Sequence, residues 1–411
     1  MATKRYCIAV IAACIAVTVM DIPAGARGLP SCARPERSVL EFPGGRGNFD
    51  IFARKLKESS ADADSCVTIW HFGDSHVQAG YLSSRLRERF GAIGAAPASD
   101  RGYVFPYPAA HSNYDKSYYA ACEGEWTGSR SSNPDRTIPV RPDFGITGIA
   151  AYTADTLSSF TVKLPYPFVR LRLFAQLSEA APCAVSPSGE FTFLRDSIGG
   201  GYLAEFPSET DSVRIEPRIS PGGYFMITGL LPEPSVRRGV RVVSTGVNGA
   251  SCRTWISRCP QFASQAREVK PDLIIAGLGI NDSACPQKSF NAAQFKADYR
   301  KVLDIMLKDT PSAALVFMVP NDSWRYVRRG MTRNVNIPSV RRAIKELAAE
   351  YHAAVWDLYT IMGGKMSAVS WRDGGLMMRD RLHFTPEGYA TIGDMLFEAI
   401  MAGCGNDSVS K

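Results

Sequence analysis

The chain has 411 residues, 45% of them hydrophobic and 21% charged, an ordinary balance for globular protein. Its formal net charge of +7 is spread along the sequence without a dense Lys/Arg block, which suits a polyanionic wall or lipid surface and gives no indication of nucleic acid as a partner. Beyond the N-terminal leader no stretch approaches the roughly 20 apolar residues that span a bilayer, which excludes a transmembrane segment from the mature chain.

Residues 1–26 read as a secretory signal peptide. Lys4 and Arg5 precede an apolar run over 6–20, and Ala24, Gly25 and Ala26 supply the small residues of a cleavage site near Ala26. The mature protein is therefore expected to be exported, periplasmic or extracellular. Cys7 and Cys14 leave with the leader; Cys32, Cys66, Cys122, Cys183, Cys252, Cys259, Cys285 and Cys404 remain. Their even number permits disulfides, but their spacing matches no zinc pattern, and buried free thiols satisfy the same sequence.

Residues 27–65 form a Pro/Gly-containing lead-in with a short helix near 52–57, packed outside the core. Residues 67–70, Val-Thr-Ile-Trp, read as a buried strand broken at once by Gly73, Asp74, Ser75 and His76. From Gln78 onward Ala79, Leu82, Leu86 and Phe90 recur at helical spacing, so Ser75 stands between a strand end and a helix start. There it can cap the helix, or it can be a nucleophile beside backbone N–H groups free to stabilise an oxyanion.

From 112 to 238 helical periodicity disappears. Short alternating segments (159–164, 169–175, 190–194, 202–206, 212–215 and 224–230) are separated by Gly/Pro/Ser turns, the pattern of a β-sandwich inserted between two parts of another domain. Strand and helix alternation then resumes: strands over 240–245, 273–278, 314–319 and 353–358, helices over 254–269, 292–307, 339–350 and 388–401. Such alternation calls for parallel crossovers and an open sheet covered on both faces, giving an α/β core in two parts, 27–111 and 239–411.

Chemistry in such sheets collects beyond the carboxyl ends of the strands. Four blocks fall there: Gly73 to His76; Gly246 to Ser251; Gly277 to Asp282; and Asp380 to Pro386. Together they hold what serine acyl transfer requires. Ser75 is the nucleophile, His383 the base that takes its proton, and Asp380 the carboxylate that holds the imidazole; Ser75 N–H, Gly249 N–H and the Asn281 amide are the oxyanion donors. Gly246 shares the turn with Gly249 and competes for its role.

These blocks resemble the SGNH, or GDSL-type, esterase and acyl-hydrolase superfamily, in which Ser, Gly, Asn and His stand in four separated motifs. The resemblance implies a flavodoxin-like three-layer α/β/α core and matches Ser75, Gly249, Asn281, Asp380 and His383 to the family's site. The first block reads GDSH where the family name has GDSL, and the β-rich stretch separates it from the glycine block. In both respects the chain resembles bacterial peptidoglycan O-acetylesterases, whose inserted sandwich is like a carbohydrate-binding module. The implied activity is hydrolysis of O-acetyl esters on a carbohydrate, most of all peptidoglycan, with no metal or organic cofactor. Acetyl transfer to sugars, lipase or acylhydrolase activity, and an inert glycan-binding protein stay open.

Outside these blocks the expectations are plainer. His76 orients or packs, or else contacts substrate; Asp74 ties down its turn, and His71, His111 and His352 are structural. Arg325, Arg328, Arg329 and Arg333 belong to a loop that is either solvated or faces a wall polymer's anions; Tyr103, Phe105 and Tyr107 either stack on sugars or pack between domains.

Overall fold

The computed structural model describes residues 28–328 and 330–405; the expected leader over 1–26 and Arg329 lie outside them. The chain opens with β1 (Leu40–Glu41) and α1 (Phe49–Ser59), then β2 (Cys66–Gly73), α2 (Ser75–Gln78) and α3 (Tyr81–Gly91). A long β region follows: β3 (Tyr119–Glu123), β4 (Thr127–Arg130), β5 (Ile149–Thr153), β6 (Ser159–Ala180), β7 (Cys183–Ser186), β8 (Gly189–Thr192), β9 (Leu194–Arg195), β10 (Gly201–Glu216) and β11 (Ile219–Glu233). Next come β12 (Gly239–Gly246), α4 (Cys252–Arg258), α5 (Phe262–Ala266), β13 (Leu273–Gly277), α6 (Ala292–Leu307) and β14 (Ala314–Val319). The chain closes with the hairpin β15 (Trp324–Val327) and β16 (Gly330–Arg333), then α7 (Ile337–Glu350), β17 (Ala354–Asp357), α8 (Leu358–Ile361), α9 (Ser367–Asp373) and α10 (Pro386–Gly403).

Five strands form a parallel sheet in the order β12-β2-β13-β14-β17, with β1 added antiparallel at the β17 edge. Counted along the chain, the parallel strands run second, first, third, fourth, fifth, the flavodoxin-like order whose switch point lies between β2 and β13. Each strand is covered on both faces, so it reads as a nearly continuous apolar run. Side-chain alternation still divides it: Trp70 and Phe72 pack with Trp255, Phe262 and the α6–α7 side, whereas Val67 and Ile69 pack with Phe52, Leu86, Phe90 and Leu396 from α1, α3 and α10. The result is the expected α/β/α three-layer core. β1 was not foreseen: two residues in a Pro/Gly-rich lead-in carry no strand pattern of their own, and they are strand only by pairing with Val355 and Trp356.

The β region differs from a sandwich of many short strands. It is one continuous nine-stranded antiparallel sheet in which segments expected separately are joined, 159–164 and 169–175 within β6, 202–206 and 212–215 within β10. The sheet nevertheless folds onto itself. Trp126 lies 5.9 Å from Phe160 and 6.3 Å from Phe225, and Phe225 pairs with Leu177. Phe160 and Leu177 would stand roughly 55 Å apart along a straight strand. β6 therefore doubles back; Pro165 and Pro167 lie within it, and the register of its partner β10 slips between Glu205 and Thr210.

This sheet packs on the core through a shared apolar cluster that includes Phe72, Phe262, Ile146 and Phe174. Phe105 is buried, Tyr103 is buried with its hydroxyl donating to Gln265 O at 2.8 Å, and Tyr107 stacks on Tyr114 at 5.3 Å. The aromatic loop is thus packing, not a sugar platform. The helix expected over 254–269 is two helices, interrupted at Cys259 and Pro260 because proline cannot continue the backbone ladder. All eight cysteines among the described residues are free. No described helix is long and apolar enough to cross a membrane.

Candidate active site

At the carboxyl ends of β12, β2 and β13, Gly246, Gly73 and Gly277 lie side by side. A Cβ on Gly246 would come within 2.7 Å of Asp74 O, and one on Gly73 within 2.6 Å of Gly277 O, so the chains can approach this closely only without side chains. Immediately beyond, β2 turns into α2. Asp74 is the N-cap, its Oδ1 accepting from His76 N at 3.0 Å, so the capping role considered for Ser75 belongs to Asp74. The helical stretch expected from Gln78 onward is α3, which begins only after Gly80, and the one-turn α2 ends at Gln78.

Ser75 Oγ lies 2.9 Å from His383 Nε2, and His383 Nδ1 lies 2.7 Å from Asp380 Oδ2. Asp380 Oδ1 also accepts the backbone N–H of Leu382 and of His383, at 2.9 and 3.0 Å. Burial works to raise the Asp380 pKa, but these bonds together hold its carboxyl below the usual range. An ionised Asp380 favours the imidazole tautomer with Nδ1–H toward itself, which leaves Nε2 facing Ser75 Oγ as an acceptor.

Ser75, Gly249, Asn281, Asp380 and His383 all line one cavity of about 770 Å³. Gly246 does not line it, being packed against the Asp74 and Val77 turn. Gly249 sits at φ +79°, left-handed backbone that favours glycine, in a turn held from α2: Asn248 N donates to Gln78 Oε1 at 2.7 Å. The N–H groups of Ser75 and Gly249 make no hydrogen bond among the described residues. The Asn281 amide is committed, donating to Ala250 O at 2.9 Å and to Asp74 Oδ2 at 3.2 Å. An oxyanion in the cavity would take up the two free N–H groups and compete for the longer Asn281 bond.

Burial dominates around the turn. It pushes the Asp74 carboxyl up to about 7 against the His76 N–H bond, and it pushes His76 down to about 3, with repulsion from His383 adding to the effect. His76 is therefore a neutral imidazole whose Nδ1 lies 3.0 Å from Tyr389 OH. Sequence gave no warning of Tyr389, which lies inside a helix as an ordinary apolar-face residue. His71 Nδ1 meets Ser83 Oγ at 2.8 Å, while His111 and His352 each bond a backbone carbonyl, Trp126 O and Gly44 O. All three histidines are structural.

Part of the cavity wall comes from outside the core. Asn113, Arg130, Ser132 and Asn133 line it, and no sequence pattern marked them. Asn113 Oδ1 accepts from Asn248 Nδ2 at 2.7 Å, and Ser132 Oγ donates to Asn248 O, so this wall and the Gly249 turn brace one another. The segment expected as an arginine-rich loop is the β15–β16 hairpin. Arg333 is tied into the structure by Asp322 Oδ1 at 2.9 Å. Among the described residues no group of three or more His, Cys, Asp or Glu side chains is placed to hold a metal ion.

Residues 196–391 match the GDSL-like Lipase/Acylhydrolase family, a span that contains Gly249, Asn281, Asp380 and His383 but not Ser75, which the fold brings to them. A solved peptidoglycan O-acetylesterase is similar at a TM-score of 0.68 and 19% identity, over 89% of this chain and 99% of that one. At that identity the likeness establishes the fold. An acetylxylan esterase from Geobacillus stearothermophilus is similar over 40% of this chain and 73% of its own, at 19% identity and a TM-score of 0.30. Comparison with curated proteins finds no match. The matched region, just under half of the chain, makes the chain similar to the GDSL-like lipase/acylhydrolase family, and its fold is that of a solved peptidoglycan O-acetylesterase.

Proposed function

We propose that the protein is an exported serine esterase that removes O-acetyl groups from a glycan, with peptidoglycan as the substrate class. The observation that carries this reading is the Ser75–His383–Asp380 hydrogen-bonded chain, at 2.9 and 2.7 Å, opening into a cavity with one polar wall and, from Tyr81, Met378, Leu382, Phe384 and Tyr389, an apolar and aromatic one. On the polar wall Asn113, Ser132, Asn133 and Asn248 offer amides and a hydroxyl suited to sugar hydroxyls, and the aromatic rings opposite suit a sugar's apolar face. The similarity in fold to a peptidoglycan O-acetylesterase over nearly the whole chain supports the choice of glycan.

In this mechanism Ser75 Oγ attacks the acetyl carbonyl carbon as His383 Nε2 takes the hydroxyl proton. The carbonyl oxygen becomes an oxyanion held by Ser75 N–H, Gly249 N–H and the Asn281 amide. Collapse breaks the bond to the sugar oxygen, which leaves as the hydroxyl with the proton from His383. Water then adds to the acetyl-enzyme, giving up a proton to His383, and acetate departs as the proton returns to Ser75. Asp380 keeps one imidazole tautomer throughout.

The test is acetate release from O-acetylated peptidoglycan, acetylated xylan and an aryl acetate. The reading predicts the highest kcat/KM on peptidoglycan. A preference for xylan would overturn the substrate assignment, and absence of turnover on all three would overturn the esterase.

A further inference from the structure

Two charged side chains line the cavity, Asp380 and Arg130, and their circumstances differ. Both Asp380 oxygens are engaged, by His383 and by backbone N–H groups. Arg130, the last residue of β4, is exposed to solvent, and its guanidinium makes no hydrogen bond or ion pair among the described residues. Arg258, by contrast, is occupied: its Nη1 donates to Ser131 O and Ser132 O, in the loop that follows Arg130.

The backbone that carries Arg130 is nonetheless fixed. Arg130 stands opposite Ile149 in the β4–β5 ladder, Ser131 N donates to Gly148 O at 2.8 Å, and Asn133 N donates to Arg130 O at 3.0 Å. The loop just beyond is clamped by the two Arg258 bonds and by Ser132 on Asn248. Fixed attachment with a free head group is the arrangement of a ligand-binding cation, because the guanidinium's planar fork is built to take a carboxylate through two parallel bonds. The neighbouring Asn133 side chain is likewise exposed and without a hydrogen bond among the described residues.

We propose that Arg130 binds a carboxylate of the substrate, so that the cavity selects acetylated glycans carrying an acidic or peptide-bearing sugar over neutral ones. The word substrate rests on the esterase reading above; the binding itself does not. The experiment therefore measures binding without an ester bond. Isothermal titration follows a disaccharide of N-acetylglucosamine and N-acetylmuramic acid, as the free carboxylate and as the matching primary carboxamide, against the wild type, Arg130→Gln and Arg130→Lys. The wild type should bind the carboxylate about tenfold more tightly than the carboxamide at low salt. That ratio should fall toward one in Arg130→Gln, be partly kept in Arg130→Lys, and shrink as salt screens the exposed pair. Equal binding of the two probes by the wild type, binding of neither, or an undiminished ratio in Arg130→Gln would overturn the proposal. Failure of the esterase reading would register separately, as absence of acetate release.

Discussion

Trp324 and Arg381 hold one another: the Arg381 guanidinium lies 4.0 Å from the centre of the indole ring, and Trp324 N donates to Arg381 O at 3.0 Å. Arg381 lies, with Leu382, between Asp380 and His383 and has a left-handed backbone, φ +52°, which strains a residue with a side chain. The β15–β16 hairpin therefore supports the loop that carries both the carboxylate and the imidazole.

Removing that support should blur the geometry of His383 without touching substrate. Trp324→Ala is expected to lower kcat about tenfold on a small aryl acetate, with KM changed less than about twofold. Trp324→Phe keeps a ring face for the guanidinium and should recover most of the loss. An unchanged kcat in Trp324→Ala would show that the loop holds itself.

Asp380→Asn puts an amide NH₂ where the carboxylate accepted Nδ1–H. The imidazole must then present Nδ1 as acceptor and Nε2–H toward Ser75, a tautomer that cannot take the serine proton. The expected cost is about 10³- to 10⁴-fold in kcat with the fold intact. Steady-state kinetics alongside thermal unfolding checks this, and a loss below about tenfold would remove Asp380 from the mechanism.

The two glycines of the second block should separate cleanly. In Gly249→Ala a side chain meets left-handed backbone, costing about 1–2 kcal/mol, and the added Cβ lies 3.3 Å from Ser132 Oγ at the cavity wall. The protein should fold while kcat/KM falls about tenfold or more. Gly246→Ala forces a Cβ into main chain and Val77, and its principal effect should be on stability, about 1–3 kcal/mol. Equal kinetic loss from both variants in folded protein would deny Gly249 a distinct role.

Much of this site was legible because its chemistry sits where the parallel sheet must end. Val67 to Trp70, the 273–278 run and the 314–319 run are buried on both faces, so short apolar segments located the strands, and the residues after them had to share an edge. The long strands β6 and β10 escaped because their prolines, bulges and polar positions mimic turns in a one-dimensional pattern. Arg130 and Asn113 escaped for another reason: they reach the cavity through sheet folding and packing, contacts remote in sequence that leave no local periodicity. Tyr389 reads as core on its own helix, and only the fold reveals the His76 ring against its hydroxyl.

His76 gives a pH-dependent prediction. Its imidazole is held at about 3 in the folded protein against an ordinary value near 6.5, so the unfolded chain binds a proton that the native site refuses across that window. Stability from the neutral histidine is present above the unfolded value and is lost as pH falls. His76→Phe lacks this penalty, so its stability relative to the wild type should improve by about 1.4 kcal/mol per pH unit as pH drops from 6.5 toward 3. Chemical denaturation at several pH values reads the difference, and a difference independent of pH would mean that His76 titrates normally.

The central claim, that Ser75 is the nucleophile activated through His383, is tested most directly by trapping the intermediate. Wild type mixed with an aryl acetate and acid-quenched within the first turnover should carry one acetyl group, located by peptide mass spectrometry on Ser75, and Ser75→Ala should carry none while releasing no acetate. An acetyl group on another residue, or full turnover by Ser75→Ala, would contradict it.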